Sequence, residues 1–561
     1  MNILGISCFY HDSAACLVKD GKVIAAAQEE RFTREKKTST FPINAINFCL
    51  QEGKITPYDL DYVGFYEKPF LKFQRVVLNH IKSYPFSIRN FMSVMPHWLD
   101  ERLIIPLIIK KETGYDGKVL FIKHHLSHAA SSFLVSPFDE AAIITSDGVG
   151  EFATMTIGKG KRNKIKILKE LDYPNSLGLL YSAITSYLGF RANFGEGKIM
   201  ALADYGKPSY LKKLKEIINI KPDGSFNLDS SYFGFNKGSK MYSKKFVKTF
   251  GKERKYGEKL EKKNFDMASS LQKLVEEILI LISKDAYEKT KSKNLCLAGG
   301  TFLNCLANSK ILKETKFKKI FIQPAAGDSG CALGVALYIY NSILNHPRKY
   351  EMRHSYYGPD FSSDQIKMFL LNNNIKFKEL SKEKLIKYVA KKISKDKIVG
   401  WFQGKMEWGP RALGNRSILA NPCNQKMRDI LNKKVKHREW FRPYGVSILL
   451  EELNNYCDLK QPSPFMLLVG NVKKEKKSLV PSAVHIDGTT RIQTVTKKEN
   501  GIFYDLIKEF YKITNIPLII NTSFNNKEPI VCDYKDAYNC FSKTKMDYLV
   551  LGNFIIKKQL K

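Results

Sequence analysis

An α/β protein built as two domains is what the sequence predicts, on three observations. Short apolar runs alternate with longer stretches whose apolar residues recur at helical spacing. Two of the earliest runs meet across Asp20-Gly21, a dipeptide suited to the tight turn of a β-hairpin. A stretch bearing Pro, His and Tyr residues, 345–358, breaks the alternation, which starts afresh beyond it. With 561 residues the chain is too long for one core, so domains are expected at 1–350 and 351–561.

Residues 2–7 read as a buried strand that ends in the turn Cys8-Phe9-Tyr10-His11-Asp12-Ser13-Ala14-Ala15, and strands 15–19 and 22–28 form the hairpin. A strand, a small-residue turn and a hairpin open actin-like ATPase folds, where the turn approaches phosphates, but many other sheets begin in the same way. His11 is therefore either a satisfied turn residue or a general base facing a reaction centre. The charged loop 29–37 follows, and the helix-like, aromatic segments up to about residue 115 carry no motif.

Residues 118–122 predict a short strand, and the Ala- and Ser-rich run after it predicts a helix with His124 and His128 at i and i+4, on one face. Such a pair more often caps or packs a helix than holds a metal. Three features favour the metal: the strand before the pair, the Asp147-Gly148 turn after strand 141–145, and the later turn Ala326-Gly327-Asp328-Ser329-Gly330. Each turn sets a carboxylate at a strand end beside backbone N–H groups, as in sites for a nucleotide and its metal.

Ser176 and Gly178 open a helix carrying Tyr181 and Tyr187, while 194–203 combines glycines with Lys198 and can hold a phosphate without being a Walker sequence. Stretch 209–262, rich in Lys, Ser and aromatic residues, reads as an insertion lying over the surface, with no legible role. A long helix over 266–287 leads to strand 294–297 and the Gly299-Gly300 turn before Asn304, where the backbone can come close to a ligand. Strand 320–323 and helix 332–340 close the first domain. The second is expected to run through helix 363–371, strand 375–378, helix 382–395 and strand 398–402. It then carries four basic or polar turns: Arg411 and Arg416 within 409–417; Lys436 and Arg442 within 436–443; His485 with Arg491; and Asn521 and Ser523 within 521–525. Guanidinium forks suit phosphate and carboxylate oxygens, and so many in one small domain favour an anion pocket.

The formal net charge of +36 and pI of about 9.6 invite a nucleic-acid reading, but the lysines are spread along the chain, so a basic surface that draws anionic substrates is expected instead. Ten scattered cysteines with no Cys-x-x-Cys pattern indicate neither a zinc ribbon nor a disulfide framework. No apolar run approaches the ~20 residues of a membrane span. A soluble, cytoplasmic protein is the expectation.

Taken together, the opening His11-Asp12-Ser13-Ala14-Ala15, loop 29–34, segment 124–130, Asp147-Gly148, segment 299–304, Asp328 and segments 409–417, 438–443 and 521–525 resemble the NodU/CmcH family of O-carbamoyltransferases. The resemblance implies an actin-like (ASKHA) first domain similar to the tRNA threonylcarbamoyl transferases, and a YrdC-like second domain. In the second, ATP and carbamoyl phosphate would give carbamoyl adenylate, with Arg442, Arg491, Asn521 and Ser523 holding carbamoyl phosphate and Lys436 near the nucleotide phosphates. Arg411 and Arg416 are further anion-binding candidates. In the first, His124, His128, Asp147 and Asp328 would hold a divalent metal, Fe2+ first with Mn or Zn as alternatives. Lys36, Ser176, Gly178, Gly300 and Asn304 would line the adenylate, and His11 would take the proton from an acceptor hydroxyl on a sugar, glycan or natural product. The rivals are a tRNA threonylcarbamoyl transferase-like enzyme, an actin-like sugar kinase and, at the greatest distance, a basic nucleic-acid-binding protein. A nucleic-acid partner is not expected, and a homodimer is left open.

Overall fold

Strand β1 (Asn2–Ser7) is buried along nearly its whole length, the apolar pattern of a strand covered on both faces. In the computed structural model, which describes residues 1–85, 87–235 and 240–559, β1 pairs antiparallel with β2 (Ala14–Lys19) and parallel with β4 (Tyr62–Phe65). The Asp20-Gly21 turn into β3 (Lys22–Gln28) has both residues at positive φ, 49° and 77°, the geometry its dipeptide favours. With β5 (Val119–Phe121) the sheet order is β3-β2-β1-β4-β5.

A second five-stranded sheet repeats this plan. Strands β6 (Glu140–Ser146), β7 (Ala153–Lys161) and β8 (Lys164–Asp172) form an antiparallel meander, and after the small hairpin β9 (Ile218–Ile220) and β10 (Phe226–Leu228) the parallel strands β11 (Asn294–Ala298) and β12 (Lys319–Ile322) complete the order β12-β11-β6-β7-β8. Helix α1 (Pro69–Lys82) lies between β4 and β5 in the chain, α2 (His124–Phe133) follows β5, α3 (Leu177–Tyr187) follows β8, and α4 (Lys262–Thr290) and α5 (Ser329–Leu337) flank β11 and β12. Helix α5 packs on α2 and on β1 so closely that a Cβ on Gly334 would stand 1.9 Å from the Ser127 carbonyl oxygen, and one on Gly5 1.9 Å from that of Ala332.

Stretch 209–262 departs from the expected surface cover, apart from 236–239, which lie outside the described residues. Phe226, Phe246 and Phe250 are buried, and Tyr187 of α3 joins them, with its ring 5.1 Å from that of Phe246 and its hydroxyl donating to the Phe250 carbonyl at 2.9 Å. Aromatic residues without sequence periodicity have met in a satellite core. In 194–203, helix Glu196–Leu202 forms, and the Glu196 carboxylate accepts from the Asn193 N–H and the Ser182 hydroxyl, both at 2.7 Å.

The chain divides into two units, Met1–Ile24 with Ser39–Glu351 and Ala25–Thr38 with Met352–Lys561. The second unit holds a nine-stranded sheet of β13 (Lys378–Glu379), β14 (Val399–Phe402), β15 (Arg416–Ala420), β16 (Gly445–Leu449), β17 (Leu468–Asn471), β18 (Thr489–Val495), β19 (Leu518–Ser523), β20 (Tyr548–Leu551) and β21 (Phe554–Lys557), ordered β13-β21-β20-β14-β15-β19-β16-β18-β17. The strand expected at 375–378 shrinks to the two residues of β13 at the sheet edge. Its core gathers Ile366, Phe402, Leu431, Ile520, Phe524 and Leu549. No helix among the described residues is long and apolar enough to cross a membrane.

Candidate active site

In the first unit α2 stacks His124 over His128 by one turn, with ring centroids 4.6 Å apart. Asp147 enters from the end of β6 and Asp328 from the residue before α5. The His128 Nε2 lies 2.9 Å from Asp147 Oδ2 and 3.5 Å from Asp328 Oδ1, and the His124 Nε2 lies 3.5 and 3.9 Å from the same two oxygens. One donor atom from each residue falls within 4.8 Å of the others. Burial would discharge the His128 imidazole, yet Cys331, Asp147 and Asp328 hold its pKa well above the ordinary value. Burial likewise works against the Asp147 carboxylate, and His124 and His128 hold it well below the usual range. Asp328 Oδ1 has no hydrogen-bond partner among the described residues. Two imidazole nitrogens and two carboxylate oxygens, enclosed and facing one another, are the donor set of a borderline or hard divalent ion.

Three residues that the sequence argument did not single out complete this centre. Glu151 accepts from the His124 N–H at 3.0 Å and the Lys68 N–H at 2.8 Å, fixing the start of α2. Cys331 forms a second possible donor group with His124 and His128, but burial pushes its thiol up to about 12. Its position on α5, three residues past Asp328, was the available signal. Tyr10 sets its ring 4.6 Å from that of His11. His125 stays apart, its Nδ1 2.7 Å from the Thr145 hydroxyl and its Nε2 2.9 Å from the Ala153 carbonyl, so it pins α2 to the second sheet.

The His11 Nδ1 lies 2.9 Å from Asp12 Oδ2 and 3.8 Å from Asp328 Oδ2, and the turn holds Phe9 and Asp12 at φ of 69° and 55°, a conformation that costs a non-glycine residue energy. Ser176 caps α3 through the Leu179 N–H and donates to the Gly148 carbonyl at 2.7 Å. A Cβ on Gly178 would meet the Asp147 carbonyl at 2.7 Å, and one on Gly300 would meet Asp147 Oδ1 at 3.2 Å. His11, Ser176, Gly178 and Gly300 therefore border the histidine–carboxylate centre. Asn304 has another occupation: it caps the next helix through the Ala307 N–H and exchanges hydrogen bonds of 2.9 and 3.2 Å with Gln272.

Lys36 belongs to the second unit, where its charged neighbours are Glu30, Arg442, Glu528 and Arg31 and partial desolvation lowers its pKa. Arg442 is lowered to about 10 by burial and by Arg438 and Arg491. On the sheet beneath, Gly445 of β16 is flanked by Arg491 of β18 and Asn521 of β19. The Asn521 Nδ2 donates to the Ser447 hydroxyl at 2.9 Å, while its buried Oδ1 has no partner among the described residues. Two basic residues are occupied otherwise than expected. The Lys436 Nζ, its pKa lowered well below the ordinary value by burial, donates at 2.6–2.8 Å to Asn525 Oδ1 and the Ser523 and Asn525 carbonyls, so it organises that turn. Arg416 is fully buried and donates to the carbonyls of Gln403, Gly404, Pro359 and Cys532, which makes it a structural strut and not an anion site. Arg411 is half-buried on the turn leading to it.

Comparison with known proteins identifies the family. The family profile described as Carbamoyltransferase N-terminus matches residues 2–337, and that described as Carbamoyltransferase C-terminus matches 390–558. The uncharacterized protein sll1178 of Synechocystis sp. is 43% identical over 99% of this chain and 97% of its own, and the nodulation protein NolNO of Sinorhizobium fredii is 36% identical over 98% of this chain and 79% of its own. Nodulation protein U of Rhizobium tropici is 27% identical over 94% and 91%. The chain belongs to the carbamoyltransferase family and is a transferase. Among solved structures, T. kodakarensis HypF aligns with a TM-score of 0.34 and 15% identity over 61% of this chain and 48% of that one, too slight a likeness to argue from.

Proposed function

We propose that the protein is an ATP-dependent O-carbamoyltransferase working in two half-reactions. In the second unit, read as YrdC-like, carbamoyl phosphate loses phosphate to water. The resulting carbamate oxygen attacks the α-phosphorus of ATP, and pyrophosphate leaves carbamoyl adenylate. The observation that carries this reading is the basic cluster of that unit. The part-buried Arg442 has Arg438, Arg491 and Lys36 among its charged neighbours, opposed by Glu439, and such an excess of positive charge favours an anion among them. Arg442 and Arg491 would hold the phosphate, Ser523 and Asn521 the carbamoyl end, and Lys36 would face this pocket.

The first unit, read as actin-like on the strength of its two sheets of repeated plan, would consume the adenylate. His11 would take the proton of the acceptor hydroxyl as its oxygen attacks the carbamoyl carbon, the bond to the adenylate oxygen breaks and AMP leaves. Ser176, Gly178 and Gly300 would let the nucleotide lie against the Asp147 turn. His124, His128, Asp147 and Asp328 fit a divalent metal, Fe2+ by preference over Mn or Zn, which when bound would offset phosphate charge and polarise the carbamoyl group. The acceptor would be a hydroxyl of a sugar or natural product.

The test is to incubate the protein with ATP, carbamoyl phosphate and each metal in turn, without acceptor, and to look for carbamoyl adenylate by mass spectrometry. We expect it from the native protein and from His11→Ala, and at least about 100-fold less from Arg442→Ala, the loss typical of a charge-assisted contact to a reacting anion. Absence of adenylate, with threonylcarbamoyl transfer to tRNA when threonylcarbamoyl adenylate is supplied, would replace this reading by the tRNA enzyme.

A further inference from the structure

Helix α1 carries a buried guanidinium that the reaction described so far leaves unused. Arg75 is 8% exposed, its Nε has no hydrogen-bond partner, and no carboxylate pairs with it among the described residues. Its guanidinium carbon lies 5.5 Å from the Tyr173 ring centroid, and the acidic groups nearest it are engaged elsewhere. Glu67 is neutralised by Lys72, and Glu151 accepts from backbone N–H groups. Arg102 is half-buried nearby: one arm donates to the Phe9 carbonyl at 2.7 Å, its Nε has no partner among the described residues, and it lies 5.0 Å from the Trp98 ring centroid.

These cations lie beside the reaction centre and not on a remote face. The charged neighbours of the Tyr10 phenol include Asp328 and Asp147 of the metal-type centre together with Arg75 and Arg102. The Tyr10 ring touches His11, and the Lys72 Nζ lies 5.3 Å from its centroid. A guanidinium enclosed without a counter-ion is costly unless a ligand supplies one, and its planar fork matches carboxylate and phosphate oxygens.

Resting on the carbamoyl-transfer reading, we propose that the acceptor is an anionic hydroxyl compound, whose carboxylate or phosphate ester is held by Arg75, with Arg102 beside it, while its hydroxyl reaches His11. The anionic group takes no part in bond making. It positions the molecule, so that neutral and cationic hydroxyl compounds are poor acceptors. Arg75 is a binding residue on the acceptor side, independent of the pocket around Arg442.

The test offers matched hydroxyl acceptors to the full-length protein with ATP, carbamoyl phosphate and metal: glucose, glucosamine, glucuronate and glucose 6-phosphate. Carbamoyl product and carbamoyl adenylate are measured separately. We expect product from the anionic sugars only, and the preference between glucuronate and glucose 6-phosphate names the group. Arg75→Gln should raise the acceptor KM at least tenfold with kcat and adenylate formation little changed, and Arg75→Lys should recover part of it. Equal use of neutral and anionic sugars, or an unchanged KM in Arg75→Gln, would overturn the proposal while leaving carbamoyl transfer intact. If no adenylate forms, the transfer reading fails, and titration calorimetry with the two anionic sugars still decides the site. Binding that Arg75→Gln abolishes upholds it, and no binding to the native protein refutes it.

Discussion

At the scale of single residues, burial lowers the His485 imidazole from 6.5 to about 4, with Arg491 and Arg428 adding to the effect. The native state therefore binds fewer protons than the unfolded chain between those values, and stability rises with pH across that window. It is complete above pH 6.5, falls as the pH drops towards 4 and levels off below. A shift from 6.5 to about 4 corresponds to roughly 3 kcal/mol, to order of magnitude. His485→Gln is expected to flatten the curve of urea-unfolding free energy against pH over this range; a slope equal to that of the native protein would rule the assignment out. For the histidine–carboxylate centre, His128→Ala should lower the metal retained after dialysis, read by inductively coupled plasma mass spectrometry, several-fold or more while leaving adenylate formation in the second unit intact. Unchanged metal content would remove His128 from the ligand set.

At the scale of elements, the centre exists because α2, β6 and α5 converge, and small residues permit the approach. Gly334 of α5 sits against the Ser127 carbonyl of α2, one turn ahead of His124 and level with His128. Gly334→Ala must push the two helices apart, which overpacking generally makes destabilising by about 1–3 kcal/mol. We expect a lowered urea midpoint and, because Asp328 immediately precedes α5, weakened metal retention; a variant with unchanged midpoint would mean that the helices yield without cost. Much of this level was legible beforehand. Strong local signals marked β1, the Asp20-Gly21 hairpin, α2, the end of β6 and α5, since hydrophobic period and turn chemistry act over a few residues. Stretch 209–262 was not legible, because Phe226, Phe246 and Tyr187 meet only through the fold. In the segments up to about residue 115 no sequence motif marks Arg75 on α1, and only its burial without a paired carboxylate among the described residues sets it apart.

At the scale of the whole molecule, sequence order and unit membership disagree at one place, and Lys36 shows the consequence. Segment Ala25–Thr38 leaves the first unit and completes the second. There the Arg31 Nη2 donates to the Gly409 carbonyl at 2.9 Å, and Arg34 donates to the Ile530 and Pro529 carbonyls at 2.8 Å each and lies 3.2 Å from Asp536. A boundary drawn at the 345–358 linker therefore cuts the second unit out incomplete, and long-range pairings of this kind leave no local mark in a sequence. The Ala26 N–H donates to the Tyr357 carbonyl at 3.1 Å, so a fragment 352–561 would lose backbone and guanidinium contacts together. It would also leave the carbonyls at 409, 529 and 530 without the guanidinium donors they accept from. Fragment 352–561 alone is expected to aggregate or to unfold at markedly lower urea than the same unit within the full chain, followed by tryptophan fluorescence, and Arg34→Ala in the full chain should lower that transition by a smaller amount. A fragment that matches the full chain in midpoint, and makes carbamoyl adenylate without residues 25–38, would show that this segment is an ornament on the second unit and that Lys36 has no part in its pocket.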